Sequence, residues 1–357
     1  MRASAIASLR LRNQRLLNSH FTSPQEAVRW LGAVQAQDFE GAKWALAQRV
    51  QKASDGEIEK AFAEGSILRT HVLRPTWHFV APADIRWMLE LTAPRVNAAM
   101  SGYFRKYSLD EAVFRRSSRV LAAALRQAGQ LTREELRLAL RGARIDAEGM
   151  RLVFILLRAE LDGIVCSGGR VGKRFTYALF DRRVPASRPF PREQALKELT
   201  RRYFTSRGPA TVQDFAWWSG LRIADVRAGI EMAGDGLNRE DVNGTSYWSS
   251  DPIPRLKPER TAYLLPPYDE YLIAYRDRAA AFHPSYSRQG IKAQFGSTIV
   301  VGGRVVGTWR RTLTQKTAII TLSPFVQLRA SEERAVFGAA RRYGTFVGRA
   351  VAVESRA

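Results

Sequence analysis

One order of elements, a run of helices closed by a pair of strands, recurs three times in the first 250 residues. No other feature limits the fold as much. Residues 6–18, with Leu9, Leu11, Leu16 and Leu17, predict an opening helix. Ser23 followed by Pro24 is an N-cap with proline in the first turn, which predicts a helix from there to about Gln37. Helices over 41–51 and 55–64 lead into alternating strands at 67–72 and 76–80, and a helix from Pro82 runs towards Met100. The second round has helices over 110–128, from Thr132 with Glu135 completing a capping box, and over 146–162, then a hairpin at 164–170 and 175–179. The third has helix 191–206, two helices either side of Ser219-Gly220, and strands at 237–241 and 245–249. This is the plan of an α+β protein built from three tandem winged-helix units, at 1–105, 106–185 and 186–255. A C-terminal β-rich segment, 256–357, carries strands at 262–265, 297–301, 305–309 and 317–322 and a helix from 331 to about 343. Linkers are expected at 181–190 and 250–260.

The charge balance narrows the partner. There are 56 Lys+Arg against 34 Asp+Glu, a net charge of +22, and only nine of the basic residues are lysine. Each phosphate neutralised by such a surface releases counterions, so a polyanion is the expected ligand. Cys166 is the single cysteine, and the four histidines are scattered, so neither a disulfide nor a structural metal centre is expected. Nothing calls for a cofactor. No apolar run reaches the roughly 18–20 residues of a membrane span, and Met1-Arg2-Ala3-Ser4 opens no signal-peptide stretch, so a cytoplasmic, non-membrane protein is expected.

Where the phosphates would sit is less local. Helices 146–162 and 223–233 lack the Arg, Asn and Gln cluster of a base-reading helix, which argues against a sequence-specific regulator. The hairpins are richer: Arg170, Lys173 and Arg174 surround Ser167-Gly168-Gly169, read as a flexible basic wing. Arg304 caps a Gly302-Gly303 turn, with Arg310, Arg311 and Lys316 beside it, and residues 300–357 hold ten basic and three acidic residues. As groups these point to phosphate contact. His71 reads as a histidine paired within its sheet, while His78, following Trp77, is open between that role and a cleft-facing one.

The chemistry centres on Gln35-Ala36-Gln37, before Asp38. Two carboxamides offer donors and acceptors without adding negative charge beside phosphates, so they suit holding a water and a sugar. Glutamine is no strong general base, so only an activated glycosidic bond, whose base already carries a positive charge and departs neutral, would be cleaved. A non-enzymatic winged-helix DNA-binding protein is the alternative, and a protein-interaction scaffold a third that the charge disfavours.

Val34-Gln35-Ala36-Gln37-Asp38, Arg69 to His78, Gly208-Pro209-Ala210-Thr211, Pro267-Tyr268-Asp269-Glu270-Tyr271 and Gly303 to Trp309 together resemble the AlkZ/YcaQ-like winged-helix DNA glycosylases over nearly the whole chain. The resemblance implies a C-shaped molecule around a concave basic channel, acting as a monomer on duplex DNA. It also implies excision of N7-alkylated purines, including bulky adducts and interstrand crosslinks. The family's Gln-apolar-Gln motif falls on Gln35 and Gln37, which the resemblance makes the catalytic pair. Arg69, Arg74 and His78 are expected to support the same cleft, and no lysine is placed for a Schiff base, so a monofunctional enzyme is expected.

Overall fold

A computed structural model describes residues 3–186, 190–251, 261–283, 285, 289 and 293–355. The expected linker at 250–260 falls largely outside the described residues, as do 187–189 of the one at 181–190. The fold is α+β, and it condenses into two units. One comprises Met1–Glu59, Lys197–Trp218 and Arg222–Ala357; the other comprises Lys60–Leu196 with Ser219–Leu221. The first unit is therefore assembled from segments far apart in sequence.

Its opening elements are α1 (Ala3–Asn13), α2 (Pro24–Leu31), β1 (Ala33–Gln35), α3 (Phe39–Ala47) and the first half of α4 (Asp55–Glu64), whose residues from Lys60 on belong to the second unit. The second unit follows with β2 (Leu68–His71), β3 (Trp77–Val80), α5 (Pro82–Lys106), α6 (Glu111–Ala128), β4 (Gln130–Thr132), α7 (Arg133–Gly142), α8 (Met150–Leu161), β5 (Val165–Val171), β6 (Arg174–Leu179) and α9 (Phe180–Arg183). The chain then returns to the first unit through α10 (Arg192–Arg207), α11 (Val212–Ser219), α12 (Ile223–Ala233), the hairpin β7 (Asn238–Val242) and β8 (Thr245–Ser249), β9 (Ala262–Leu265) and α13 (Glu270–Ile273). It ends with β10 (Thr298–Val301), β11 (Arg304–Leu313), β12 (Thr317–Pro324), α14 (Ala330–Val347) and β13 (Ala350–Ser355).

A five-stranded sheet, in the order β13-β12-β11-β10-β9, backs the first unit. Its pairs are antiparallel except β12 with β13, which run parallel because α14 carries the chain back over the sheet. The strand at 350–355 was not expected from the sequence. Strand β9 lies at the edge, where bare carbonyls invite foreign pairing. Trp44 Nε1 donates to Leu264 O at 2.7 Å, Trp309 Nε1 to Leu265 O at 2.8 Å and Arg342 Nη2 to Ala262 O at 2.6 Å. Trp44 also meets Tyr343 edge-on at 5.2 Å between ring centroids. Its indole thus ties α3, the helix that follows the glutamine pair, to the sheet.

In the second unit β4, β6 and β5 form an antiparallel sheet in the order β4-β6-β5. Helix α7 begins at a capping box: Thr132 Oγ1 accepts from Glu135 N, and the Glu135 carboxylate accepts from Thr132 N. Ser167-Gly168-Gly169, expected to be a flexible tip, instead lies within β5 as a bulge. Gly169 N donates to Gln130 Oε1 at 3.1 Å, and a Cβ on Gly168 would stand 2.3 Å from Thr176 Oγ1. Gly168 is glycine because Thr176 and Gln130 leave no room for a side chain. The exposed turn of this hairpin is Gly172-Lys173.

Candidate functional site

The glutamine pair was expected on a helix, and the structure corrects this. Ser23 Oγ accepts from Glu26 N at 3.4 Å to start α2, but Gly32, at φ 73°, ends it five residues before Gln37. An L-residue in that conformation is disfavoured by about 1–2 kcal/mol. Ala33–Gln35 then runs as the strand β1. Asp38 caps α3, its Oδ1 accepting from Gly41 N at 3.1 Å. Ala36 and Gln37 form the short bridge between strand end and helix cap.

The two amides differ in exposure. Gln37 is exposed, whereas Gln35 is only 7% exposed and Ala36 is fully covered. Gln35 Oε1 is buried and accepts no hydrogen bond among the described residues. A buried acceptor in that condition costs about 1–3 kcal/mol, a cost usually met only where a ligand or water completes the group.

Beneath the strand lies a buried ionic clamp that the sequence did not disclose. Glu270, fully buried, accepts from Gln35 N through Oε1 at 2.9 Å. Its Oε2 takes Arg207 Nε at 3.0 Å, Arg207 Nη2 at 2.6 Å and Trp218 Nε1 at 3.0 Å. Arg207, equally buried, reaches on to Leu31 O at 2.6 Å and Ala33 O at 2.8 Å. Carbonyls on both sides of Gly32 are therefore held by the guanidinium, and the N–H of Gln35 by the carboxylate. Next to this pair, Arg49 grips both oxygens of Asp269, at 2.8 and 2.9 Å, and Gln14 links Arg49 to Glu270 O and Tyr275 Oη. Charges this deep are tolerable because each is matched and its remaining hydrogen-bonding capacity is used. The Pro267–Tyr271 block carried the resemblance; its task is this floor.

Lys43, the nearest lysine in sequence, is 2% exposed and ringed by Glu40 at 3.0 Å, Asp55 at 2.8 Å and Glu59 at 2.9 Å. Burial pulls its ammonium down, but hydrogen bonds to Asp55, Glu59 and Glu40 outweigh that and leave it above its ordinary value.

Arg69, Arg74 and His78 belong to the second unit. Arg69 is 8% exposed, with its guanidinium carbon 4.2 Å from the Trp77 ring centroid and 4.7 Å from that of Phe175. Burial lowers it to about 10, Glu160 opposing, so it stays charged near neutrality. Glu160 is buried in α8 and holds His71: its Oε2 accepts from His71 N at 2.9 Å and contacts the ring Nδ1. His71 is thus paired with a carboxylate from a helix, not within its sheet as expected. His78 is fully buried, its Nδ1 facing Thr76 O at 2.8 Å, and Arg74 is half-buried in the turn between β2 and β3.

The expected phosphate contacts divide. Lys173 and Arg174 are exposed at the β5–β6 turn and share a cavity lining with Arg69, while Arg170 is half-buried with its guanidinium 5.3 Å from the Phe175 ring. Arg310 and Lys316 are exposed on β11 and at the start of β12, and Arg311 lies 5.7 Å over Tyr343. The Gly302-Gly303 turn is no free tip. Tyr271 Oη donates to Gly303 O at 2.5 Å, and a Cβ on Gly303 would stand 3.0 Å from Ala7, so Arg304 is half-buried. Among the described residues no cluster of His, Cys, Asp and Glu could hold a metal, and no helix is long and apolar enough to cross a membrane.

A solved structure described as the Streptomyces sahachiroi DNA glycosylase AlkZ superposes with a TM-score of 0.79 at 22% identity, covering 98% of each chain, which establishes a shared fold. The interstrand DNA cross-link repair glycosylase of Streptomyces sahachiroi is 26% identical over 325 residues, 80% of this chain and 82% of its own length. The family model described as DNA glycosylase AlkZ-like matches residues 28–346, from within α2 through Gln35 and Gln37 to the end of α14, and the chain belongs to that family.

Proposed function

We propose that the chain hydrolyses the N-glycosidic bond of N7-alkylated purines in duplex DNA, as a monomer and without a cofactor, and that bulky adducts and interstrand crosslinks are among its substrates. The observation that carries the reading is the buried, unsatisfied Oε1 of Gln35 two residues from the exposed Gln37 amide, on a strand fixed by an ion pair. N7 alkylation gives the purine a formal positive charge, so the base departs neutral and needs little protonation. What remains is to place a water against C1′ and tolerate an oxocarbenium-like sugar. Gln37 is accessible for holding that water, and Gln35 Oε1 is an acceptor for a water donor. Fixed orientation of this kind supplies several kcal/mol of a barrier. Unmodified purines survive because neither amide is a strong base.

Arg69, Arg74 and His78 are assigned supporting roles in the same reaction, and Arg170, Lys173, Arg174, Arg304, Arg310, Arg311 and Lys316 roles in phosphate contact. The ring of carboxylates that keeps Lys43 protonated supports a hydrolase without a lyase step, since a Schiff base needs a neutral amine. The cross-link repair relative supports the crosslink substrate. The test is incubation with duplex carrying one N7-methylguanine, then alkaline cleavage at abasic sites. Wild type is expected to cut, and Gln37→Ala to bind equally and cut at least 100-fold more slowly. Tight binding with no cleavage by wild type overturns the reading in favour of a non-enzymatic DNA-binding protein.

A further inference from the structure

The second unit contains a cavity of about 650 Å3 whose lining is both aromatic and cationic. Trp77 and Phe175 form its wall, with Arg69 at 4.2 and 4.7 Å from their ring centroids tying the two together. Two carboxylates, Glu134 and Glu148, also line it, and both are bound by Arg137, Glu134 at 2.5 Å. With Arg69, Arg133, Lys173 and Arg174 the lining carries five cations against these two carboxylates, a net charge of +3. Thr132 and Arg133 stand at the start of α7, whose first-turn N–H groups add a partial positive charge.

A phosphate alone would leave the aromatic wall and most of the volume unused. A purely apolar ligand would leave that net charge unmet. The size lies within the range of small-ligand sites, about 300–1,000 Å3. A planar ring joined to an anion uses both properties. We propose that this cavity is a nucleotide site: it takes one unstacked nucleoside monophosphate unit, the base against the Trp77–Phe175 wall and the phosphate on Arg133, Lys173 and Arg174. The unit is either a free nucleotide or one displaced from a strand; the chemistry of recognition is the same. Neither Gln35 nor Gln37 takes part; Arg69, Lys173 and Arg174 are shared with the proposed DNA contact, and binding of dGMP does not depend on glycosidic cleavage.

The test uses the full-length chain, with calorimetric titration of dGMP, deoxyguanosine and inorganic phosphate. A second arm follows the emission of a single-stranded oligonucleotide containing 2-aminopurine. Wild type is expected to bind dGMP at least tenfold more tightly than either fragment. The surface variant Lys173→Glu/Arg174→Glu should lose at least tenfold, and Gln37→Ala should bind as wild type does. Quenching of 2-aminopurine that the double variant abolishes identifies a nucleotide within a strand; dGMP binding without such quenching identifies a free nucleotide. Either supports the site. Phosphate binding as well as dGMP, dGMP binding unchanged in the double variant, or no dGMP binding at millimolar concentration overturns it. An unchanged melting curve for the double variant excludes misfolding as the cause of its loss.

Discussion

Replacing Glu270 by glutamine is the sharpest probe of the clamp under the glutamine strand. The amide is nearly isosteric but has one acceptor where the carboxylate has two. If its oxygen stays with Arg207 and Trp218, its NH2 group faces the N–H of Gln35, donor against donor, and that buried N–H is orphaned. Leaving it so costs about 1–3 kcal/mol. Arg207, fully buried, also loses its counter-charge, and breaking such a pair from one side costs about 3–5 kcal/mol. The two losses overlap, so roughly 3–5 kcal/mol is expected in all, a fall in Tm of roughly 6–20 °C at about 2–4 °C per kcal/mol. The strand end should move by a fraction of an ångström, and a 1 Å misplacement costs about 100-fold in rate. Asp269→Asn is the control, because it breaks the equally buried Arg49 pair but does not touch Gln35. Melting followed by circular dichroism, with N7-methylguanine excision normalised to folded protein, separates the two. A Tm loss under 2 °C for Glu270→Gln, or equal normalised rates for both variants, would refute the reasoning.

Two other outcomes follow from the geometry. Gly32→Ala forces a Cβ into φ 73° at the stop of α2 and should cost about 1–2 kcal/mol, read as an earlier urea midpoint with unchanged slope; no shift means the turn relaxes without strain. Cys166 is fully buried and burial pushes its thiol up to about 12, so the reactive thiolate is scarce at pH 8 and iodoacetamide should label it only in denaturant; rapid labelling of folded protein contradicts the burial.

Local signals were readable from residues alone. The Ser23-Pro24 start and the Thr132/Glu135 capping box are written within four positions, and both helices begin where those signals place them. The hairpin 164–179 was legible from alternation, but its tip was not. Gly168-Gly169 looks like a turn, and only the neighbouring Gln130 and Thr176 show why a strand needs glycine there. The helix predicted to reach Gln37 failed because Gly32 alone stops it, and a three-residue strand carries no periodicity to read. Glu270 had no legible role because its partners are 63 and 235 positions away. For the same reason Gln35 and Gln37 read as equivalent, although only one of them meets solvent.

The Arg207–Glu270 clamp also links the glutamine strand to residues made much later in the chain. Leu31, Ala33 and Gln35 are anchored by side chains 174 to 235 residues further along, contacts that no fragment ending before Arg207 can make. An isolated N-terminal fragment would keep both glutamines and lose this anchoring. On the ribosome, the clamp would close only after Glu270 emerges, so the setting of the glutamine strand is a property of the folded chain and not of the motif.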